Sequence, residues 1–157
     1  MRIYIDTSVF GGFFDKEFQE WSVKLFKEFE NGLKTPVISD LTLQEIEGAP
    51  ENVRKLLEST DCENVLLDVE STELARHYIK ERAVSQKSLN DALHIAIATV
   101  NRLDVLASWN FKHIVNLDRI RLYNAVNLKN GYPMIEIRTP REIISEKIRH
   151  EKGRKKY

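Results

Sequence analysis

Short apolar segments alternate with helical segments along this chain, and this alternation constrains the fold more than any other feature of the sequence. Extended segments are predicted where short apolar runs lack helical spacing, at residues 2–6, 36–39, 64–69, 104–108 and 134–137. Apolar spacing and start signals predict helices at residues 18–31, 41–47, 50–57, 70–82 and 89–101, and a further helix from Thr139. Strands that alternate with helices favour a parallel sheet covered on both faces. We therefore predict an α/β fold, a three-layer α/β/α sandwich with a central, mostly parallel sheet.

The length of 157 residues suits one compact domain with one sizeable core. Charge is unevenly distributed, because residues 138–157 carry eight Lys or Arg against three Glu while the whole chain has a formal net charge of zero. We predict a main domain at residues 1–138 and a basic C-terminal helix or tail at residues 139–157. This basic segment either contacts phosphates or is a solvated terminus, and the charge pattern leaves both interpretations open.

Several classes of protein are disfavoured by the sequence. The single cysteine, Cys62, excludes an intrachain disulfide and a cysteine-based zinc site. The N-terminus shows no signal-peptide pattern, and the most apolar segment, residues 92–100, is too short to span a bilayer. We expect a cytoplasmic protein with no membrane partner.

Three acidic residues lie where the predicted sheet would place a ligand site. Asp6 ends the first strand, Glu45 lies on the helix after the second strand, and Asp91 opens the buried helix that leads to the fourth strand. Ligands of parallel α/β sheets bind beyond the carboxyl ends of the strands, where the strand order reverses. Carboxylates gathered there repel one another, and Mg²⁺ or Mn²⁺, which prefer oxygen ligands, relieve that repulsion.

Each acid also has a structural interpretation. Asp6 precedes a Thr-Ser pair and is a possible N-cap of a following helix. Asp91 stands three residues after Ser88, in the spacing of a capping box. Glu45 has Glu47 beside it and is a candidate for a plain surface carboxylate. A metal site requires that the three acids lie close together in space. Their positions along the sequence permit this but do not prove it.

Four segments of the chain resemble the motifs of PIN-domain nucleases, and among these most nearly the VapC-like toxins of bacterial or archaeal toxin–antitoxin pairs. The first is Met1-Arg-Ile-Tyr-Ile-Asp-Thr-Ser, and the second is Ser39-Asp-Leu-Thr-Leu-Gln-Glu. The third and most specific is Asn90-Asp-Ala-Leu-His-Ile-Ala-Ile-Ala, and the fourth is Leu106-Ala-Ser-Trp-Asn-Phe. The similarity spans about residues 1–115.

The resemblance implies a PIN-like fold and an Mg²⁺- or Mn²⁺-dependent endoribonuclease that hydrolyses RNA phosphodiester bonds. Asp6, Glu45 and Asp91 match the catalytic, metal-binding positions. The fourth motif differs, because Asn110 stands where the family usually has an aspartate, and we expect Asn110 to serve the metal through its amide oxygen or a water. The implied partners are RNA, an antitoxin protein and a second copy of the chain in a homodimer.

Residues next to these acids are assigned less specific roles. Four of them are predicted to contact the substrate: Thr7, Ser108, Lys112 and His113. His94 lies three residues after Asp91 on the same helical face, and we predict a hydrogen-bonded core residue rather than a partner of that acid. For Trp109, packing is favoured over stacking on a base.

Other functions fit the sequence less well. A catalytically inactive PIN-like module that binds RNA or protein is favoured only by Asn110. A receiver-type signalling domain would use Asp68 as phospho-acceptor, but paired acids after the first strand and a lysine after the fifth strand are missing. A phosphatase with an aspartyl nucleophile requires a second aspartate where this chain has Ser8.

Overall fold

The computed structural model describes residues 1–145, which form a five-stranded parallel sheet with helices on both faces. The strands are β1 (Arg2–Ile5), β2 (Thr35–Ser39), β3 (Glu63–Val65), β4 (Val105–Ala107) and β5 (Ile137–Arg138). Their order across the sheet is β3-β2-β1-β4-β5, and every neighbouring pair is parallel. The predicted α/β/α class is therefore confirmed.

Within the described residues, each strand is followed by one or two helices. They are α1 (Thr7–Gly12), α2 (Gln19–Glu30), α3 (Asp40–Glu47), α4 (Glu51–Ser59), α5 (Val69–Lys80), α6 (Leu89–Val100), α7 (Leu117–Lys129) and α8 (Pro140–Ile143). A single 3₁₀ turn, Gln86–Ser88, leads into α6. Within residues 1–145, no helix is long and apolar enough to cross a membrane.

Strand β1 is the centre of the sheet and the point where the strand order reverses. Tyr4 pairs with Val37 of β2 on one side and with Leu106 of β4 on the other. The chain builds the sheet outward from β1 through β2 to β3, and then returns to the opposite side of β1 with β4. The carboxyl ends of β1 and β4 therefore border the crevice in which parallel α/β sheets bind ligands.

Two apolar cores lie on the two faces of the sheet. Alternation along β1 assigns Tyr4 to one core, with α5, α6 and α7, and assigns Ile3 and Ile5 to the other, with α1, α2 and α4. Residues 92–99 of α6 are all buried, as the predicted nearly all-round apolar character requires. This packing fixes the helix that carries Asp91.

Two helices were not predicted, and two predicted strands have different bounds in the structure. The helices that were not predicted are α1 and α7. Strand β3 ends at Val65 instead of continuing to residue 69, because Asp68 accepts the amide of Ser71 and caps α5. The predicted strand at 134–137 is replaced by a two-residue strand that begins at Ile137.

The C-terminal part of the described chain packs against the main domain. Helix α8 begins with a capping box between Thr139 and Glu142 and has Pro140 in its first turn, as predicted. It packs against α2, and Ile144 beyond it is buried. The division at residue 138 stays a prediction, and the basic cluster of residues 147–156 lies outside the described residues.

Candidate active site

Asp6 follows β1 directly and is almost completely buried at the centre of the crevice. Its Oδ1 accepts a hydrogen bond from Oγ of Ser8 at 2.5 Å, and its Oδ2 accepts one from Oγ of Ser108 at 2.6 Å. Asp6 is the N-cap residue of α1, but its side chain makes no capping hydrogen bond. The two hydroxyls therefore orient this carboxylate, and helix capping does not explain why it is there.

Glu45 lies on α3, partly exposed, with one oxygen held by two donors. Its Oε1 accepts from Nε2 of His94 at 2.5 Å and from Oγ1 of Thr7 at 3.0 Å. Burial works to raise the pKa of Glu45, but the hydrogen bond and charge of His94, with the bond from Thr7, outweigh it and lower the pKa below its usual value. Glu45 is therefore a carboxylate at neutral pH.

His94 is buried on α6 and connects Glu45 to the core. Its Nδ1 lies 2.6 Å from the hydroxyl of Tyr4, which in turn lies 2.7 Å from Oγ of Ser39. Because an ionised carboxylate only accepts hydrogen bonds, Nε2 of His94 carries the hydrogen shared with Glu45. The prediction of a hydrogen-bonded core histidine is confirmed, and the acid that it bonds is Glu45.

Asp91 stands in the first turn of α6 and is partly buried. The N-cap residue Ser88 makes no side-chain capping bond, so the capping-box interpretation is wrong. Burial raises the pKa of Asp91, and the charge of Glu45 raises it further, although the charges of His113 and His94 act in the opposite direction. The charged form of Asp91 is therefore less favourable than that of an aspartate in water.

Asn110 has an arrangement that the sequence did not indicate. Its Oδ1 accepts the backbone N–H groups of Lys112 at 3.2 Å and His113 at 3.0 Å. Its side chain also acts on Asp91, and lowers the pKa of that acid. The amide oxygen of Asn110 therefore shapes the loop after β4, and its side chain favours the charged form of Asp91.

The three acids influence one another across the crevice. Burial raises the pKa of Asp6, and the charge of Asp91 adds to that increase against the effect of His94 and the two serine hydroxyls. Asp91 is affected by Glu45 in the same sense. Within residues 1–145, however, no three acidic, histidine or cysteine side chains are already arranged to hold an ion. Asp6 and Glu45 instead face their own hydrogen-bond donors.

The remaining candidate residues take different positions. The hydroxyls of Thr7 and Ser108 are directed at Glu45 and Asp6, and Ser108 is fully buried. Lys112 is exposed. His113 is partly buried, its charge acts on Asp91, and its Nδ1 has no hydrogen-bond partner among the described residues.

Trp109 anchors the loop after β4. Its backbone N–H donates to Ser8 Oγ at 2.9 Å, and its indole Nε1 donates to Ser22 Oγ at 2.9 Å. A Cβ atom on Gly12 would lie 2.7 Å from this indole ring, so glycine is required there by close packing. The prediction of a packing role for Trp109 is confirmed.

A separate groove of about 770 Å³ lies away from the acids. It is bordered by α2, the start of β2 and α4, with Phe26, Phe29 and Leu56 among its lining residues. None of the three acids lines it, so the candidate site is the open crevice at the carboxyl ends of the strands.

The sequence and the fold both have relatives among known proteins. A sequence model of the PIN domain matches residues 3–116. The chain belongs to the PIN domain family. PIN domains are nucleases, and they generally use divalent metal ions. No curated protein matches the chain in sequence.

A solved structure with the same fold is VapBC2 from Rickettsia felis, crystallised with a DNA fragment from its promoter. The comparison gives a TM-score of 0.55 at 15% sequence identity and covers 88% of this PIN-domain chain and 98% of the other. At that identity the similarity shows a shared fold.

Proposed function

We propose that this PIN-domain protein is a divalent-metal-dependent endoribonuclease that hydrolyses RNA phosphodiester bonds. The observation that carries the proposal is that three acids distant in sequence are coupled through Asp91: its charge acts on Asp6, and the charge of Glu45 acts on it. A buried carboxyl group with a raised pKa in a cleft, such as those of Asp6 and Asp91, is a candidate for a functional site.

The donor set fits Mg²⁺ or Mn²⁺. Asp6, Glu45 and Asp91 offer only carboxylate oxygens, the ligands that hard divalent cations prefer, and the mutual repulsion of Asp6 and Asp91 falls when a cation is present. These three residues would hold the ion. The chemistry that such a cation supplies is charge neutralisation at the phosphoryl oxygens and activation of water.

The protein's own contribution is to orient these carboxylates in advance. Ser8 and Ser108 hydrogen-bond Asp6, and His94 and Thr7 hydrogen-bond Glu45. We assign Lys112 and His113 to contacts with the phosphate backbone, because Lys112 is exposed in the loop after β4 and the charge of His113 acts on Asp91.

A catalytically inactive RNA-binding module is the second candidate. Asn110 favours it, because a neutral amide provides one carboxylate less for metal ions than the usual fourth motif. The nuclease is preferred because Asp6 and Glu45 are each held by two hydrogen-bond donors.

The decisive experiment is cleavage of labelled single-stranded RNA in Mn²⁺ or Mg²⁺, with EDTA as the metal-free control. We expect Asp6→Asn, Glu45→Gln and Asp91→Asn each to reduce cleavage by at least about 100-fold. The matched control is Glu47→Gln, because Glu47 is an exposed carboxylate two residues from Glu45. RNA binding without cleavage by the wild-type protein would instead support the inactive module.

We further propose that the chain is the toxin of a type II toxin–antitoxin pair and forms a homodimer. Support comes from the PIN family membership and from the similarity in fold to VapBC2. Induced expression should then arrest growth of a bacterial host, whereas expression of Asp6→Asn should not. Light scattering of the purified protein measures the dimer directly, and a monomeric mass would contradict it.

A further inference from the structure

Three aromatic side chains form a cluster where the loop after β4 meets the start of α2. Phe18 stacks on Trp109 with a ring-centre distance of 4.4 Å and an interplanar angle of 20°. Phe111 packs against both, at 6.1 Å from Phe18 and 6.2 Å from Trp109. Trp109 is 8% exposed, whereas Phe111 is 50% exposed. The cluster therefore has a buried interior and one aromatic ring that reaches solvent.

The exposed ring is tied closely to the candidate active site. Phe111 directly follows Asn110, whose side chain acts on Asp91, and Cα atoms of consecutive residues are only about 3.8 Å apart. On the other side, the backbone N–H of Trp109 bonds Ser8, which bonds Asp6. Phe111 thus lies two residues after the backbone group that connects this loop, through Ser8, to Asp6.

We propose that Phe111, supported by Phe18 behind it, is a stacking platform for one nucleobase of single-stranded RNA next to the scissile phosphate. This inference rests on the proposed function and adds a subsite to it. Every unpaired base, whichever of the four it is, has a flat ring that can stack on an aromatic side chain. The subsite therefore contributes affinity and position, and it does not select one base sequence.

The surroundings of Phe111 favour a nucleic acid over a protein partner. Lys112, which follows it, is exposed, so an aromatic surface and a cation stand side by side as in single-strand binding grooves. A protein-binding patch would instead be a continuous apolar surface. Phe111 is flanked in sequence by the polar residues Asn110 and Lys112.

The test measures RNA binding separately from cleavage. A short single-stranded RNA with one 2-aminopurine is titrated with the full-length protein in EDTA, with fluorescence anisotropy for affinity and 2-aminopurine quenching for stacking. We expect the wild-type protein to quench the base. Phe111→Leu should bind about tenfold more weakly and lose the quenching, while Phe111→Trp should keep both.

The controls separate stacking from loss of structure. Leu128→Ala removes an apolar side chain of similar exposure on α7 and should leave RNA binding unchanged. An RNA with an abasic position in place of the 2-aminopurine should bind wild type and Phe111→Leu equally. Retained thermal stability of Phe111→Leu establishes that the variant is folded, and Phe111→Tyr provides a second conservative replacement.

The outcomes distinguish this inference from the proposed function. Wild-type cleavage with equal RNA affinity of Phe111→Leu overturns the subsite and leaves the nuclease intact. Phe111-dependent binding without any cleavage supports the subsite and contradicts the nuclease. Absence of RNA binding by the wild type also overturns the subsite. A change from dimer to monomer in Phe111→Leu, with RNA affinity unchanged, overturns it as well, because that result assigns Phe111 to a protein interface.

Discussion

Nε2 of His94 lies 2.5 Å from Oε1 of Glu45, so a histidine inside the core fixes a carboxylate that belongs to a different helix. The other nitrogen of His94 bonds Tyr4 on the central strand. Two hydrogen bonds therefore connect β1, through His94 on α6, to the carboxylate on α3. In metal sites generally, mutation of a residue that hydrogen-bonds a metal ligand lowers metal affinity or activity by about 10- to 100-fold.

We therefore expect His94→Ala to reduce RNA cleavage by about 10- to 100-fold and to destabilise the protein by about 1–3 kcal/mol, because buried polar groups lose a partner. Cleavage rates and urea unfolding provide the two measurements. His77 is an exposed histidine, and His77→Ala is the matched control. Unchanged cleavage by a folded His94→Ala protein would remove His94 from the active-site arrangement.

Metal binding should appear as a gain in stability. The charged form of Asp6 is disfavoured by burial and by Asp91, as the raised pKa of Asp6 shows. In EDTA, Asp6→Asn should therefore exceed wild type in free energy of unfolding by on the order of 1 kcal/mol. Wild type should gain about 2.7 kcal/mol at Mn²⁺ concentrations 100 times the dissociation constant, and Asp6→Asn much less. Equal Mn²⁺ effects in scanning calorimetry would exclude Asp6 as a ligand.

The sequence identified the three acids as candidates but did not indicate the residues that orient them. Their candidacy follows from topology, since ligand sites of parallel sheets lie beyond the carboxyl ends of the strands, and Asp6 directly follows β1. The bonds from Ser8 to Asp6 and from His94 to Glu45 depend on side-chain positions in a packed core. The three-residue spacing of Asp91 and His94 gives no sign of the bond to Glu45, because it places His94 beside Asp91 on the same helix.

Helix α7 shows why part of the fold was missed. Its buried face includes Asn124 and Asn127, so the apolar periodicity that identifies a helix is interrupted. Both asparagines are hydrogen-bonded in the core: Asn127 accepts from the hydroxyl of Tyr78. Asn124 bonds the N–H and C=O of Ile135, replacing a neighbouring strand there, and regular pairing with β4 begins only at Ile137.

Gly12 provides a test of the packing that positions the loop after β4. A methyl group at Gly12 would lie 2.7 Å from the ring of Trp109 and 2.8 Å from Oγ of Ser22. We expect Gly12→Ala to cost about 1–3 kcal/mol in urea unfolding, since a packed core resists added volume. Gly11 is the matched control: it lies in the same helix with open space around it, and Gly11→Ala should stabilise by about 0.5–1 kcal/mol. Destabilisation of similar size at both positions would contradict the role of Trp109 packing.

Cys62 should react slowly with alkylating reagents. Burial, together with the charge of Asp61, raises the pKa of its thiol to about 12. The reactive thiolate is therefore rare at pH 8.5, and we expect iodoacetamide to react at least about tenfold more slowly than with the urea-unfolded chain. The rate in the folded protein should still increase between pH 9 and pH 10, because that range lies below the pKa. A rate that levels off near pH 9, measured by intact mass, would contradict the raised value.

The buried pair of Glu28 and Lys34 should be sensitive to the loss of one partner. Oε1 of Glu28 accepts from Nζ of Lys34 at 3.0 Å and from the backbone N–H of Ser145 at 3.0 Å, and both side chains are buried. Lys34→Met leaves the carboxylate without its cation, and we expect a loss of about 3–5 kcal/mol in urea unfolding. The double variant Glu28→Leu/Lys34→Met should recover most of that loss, because it leaves no buried charge unpaired.

An exposed ion pair provides the comparison for this result. Lys55 and Glu51 form such a pair at 3.3 Å on α4, with both side chains largely in solvent. Lys55→Met should leave unfolding nearly unchanged, since water screens the pair and already solvates each charge. Burial, and not the mere presence of an ion pair, is therefore the property that the two substitutions compare. Equal losses at Lys34 and Lys55 would show that the Glu28 carboxylate reaches water when its partner is removed.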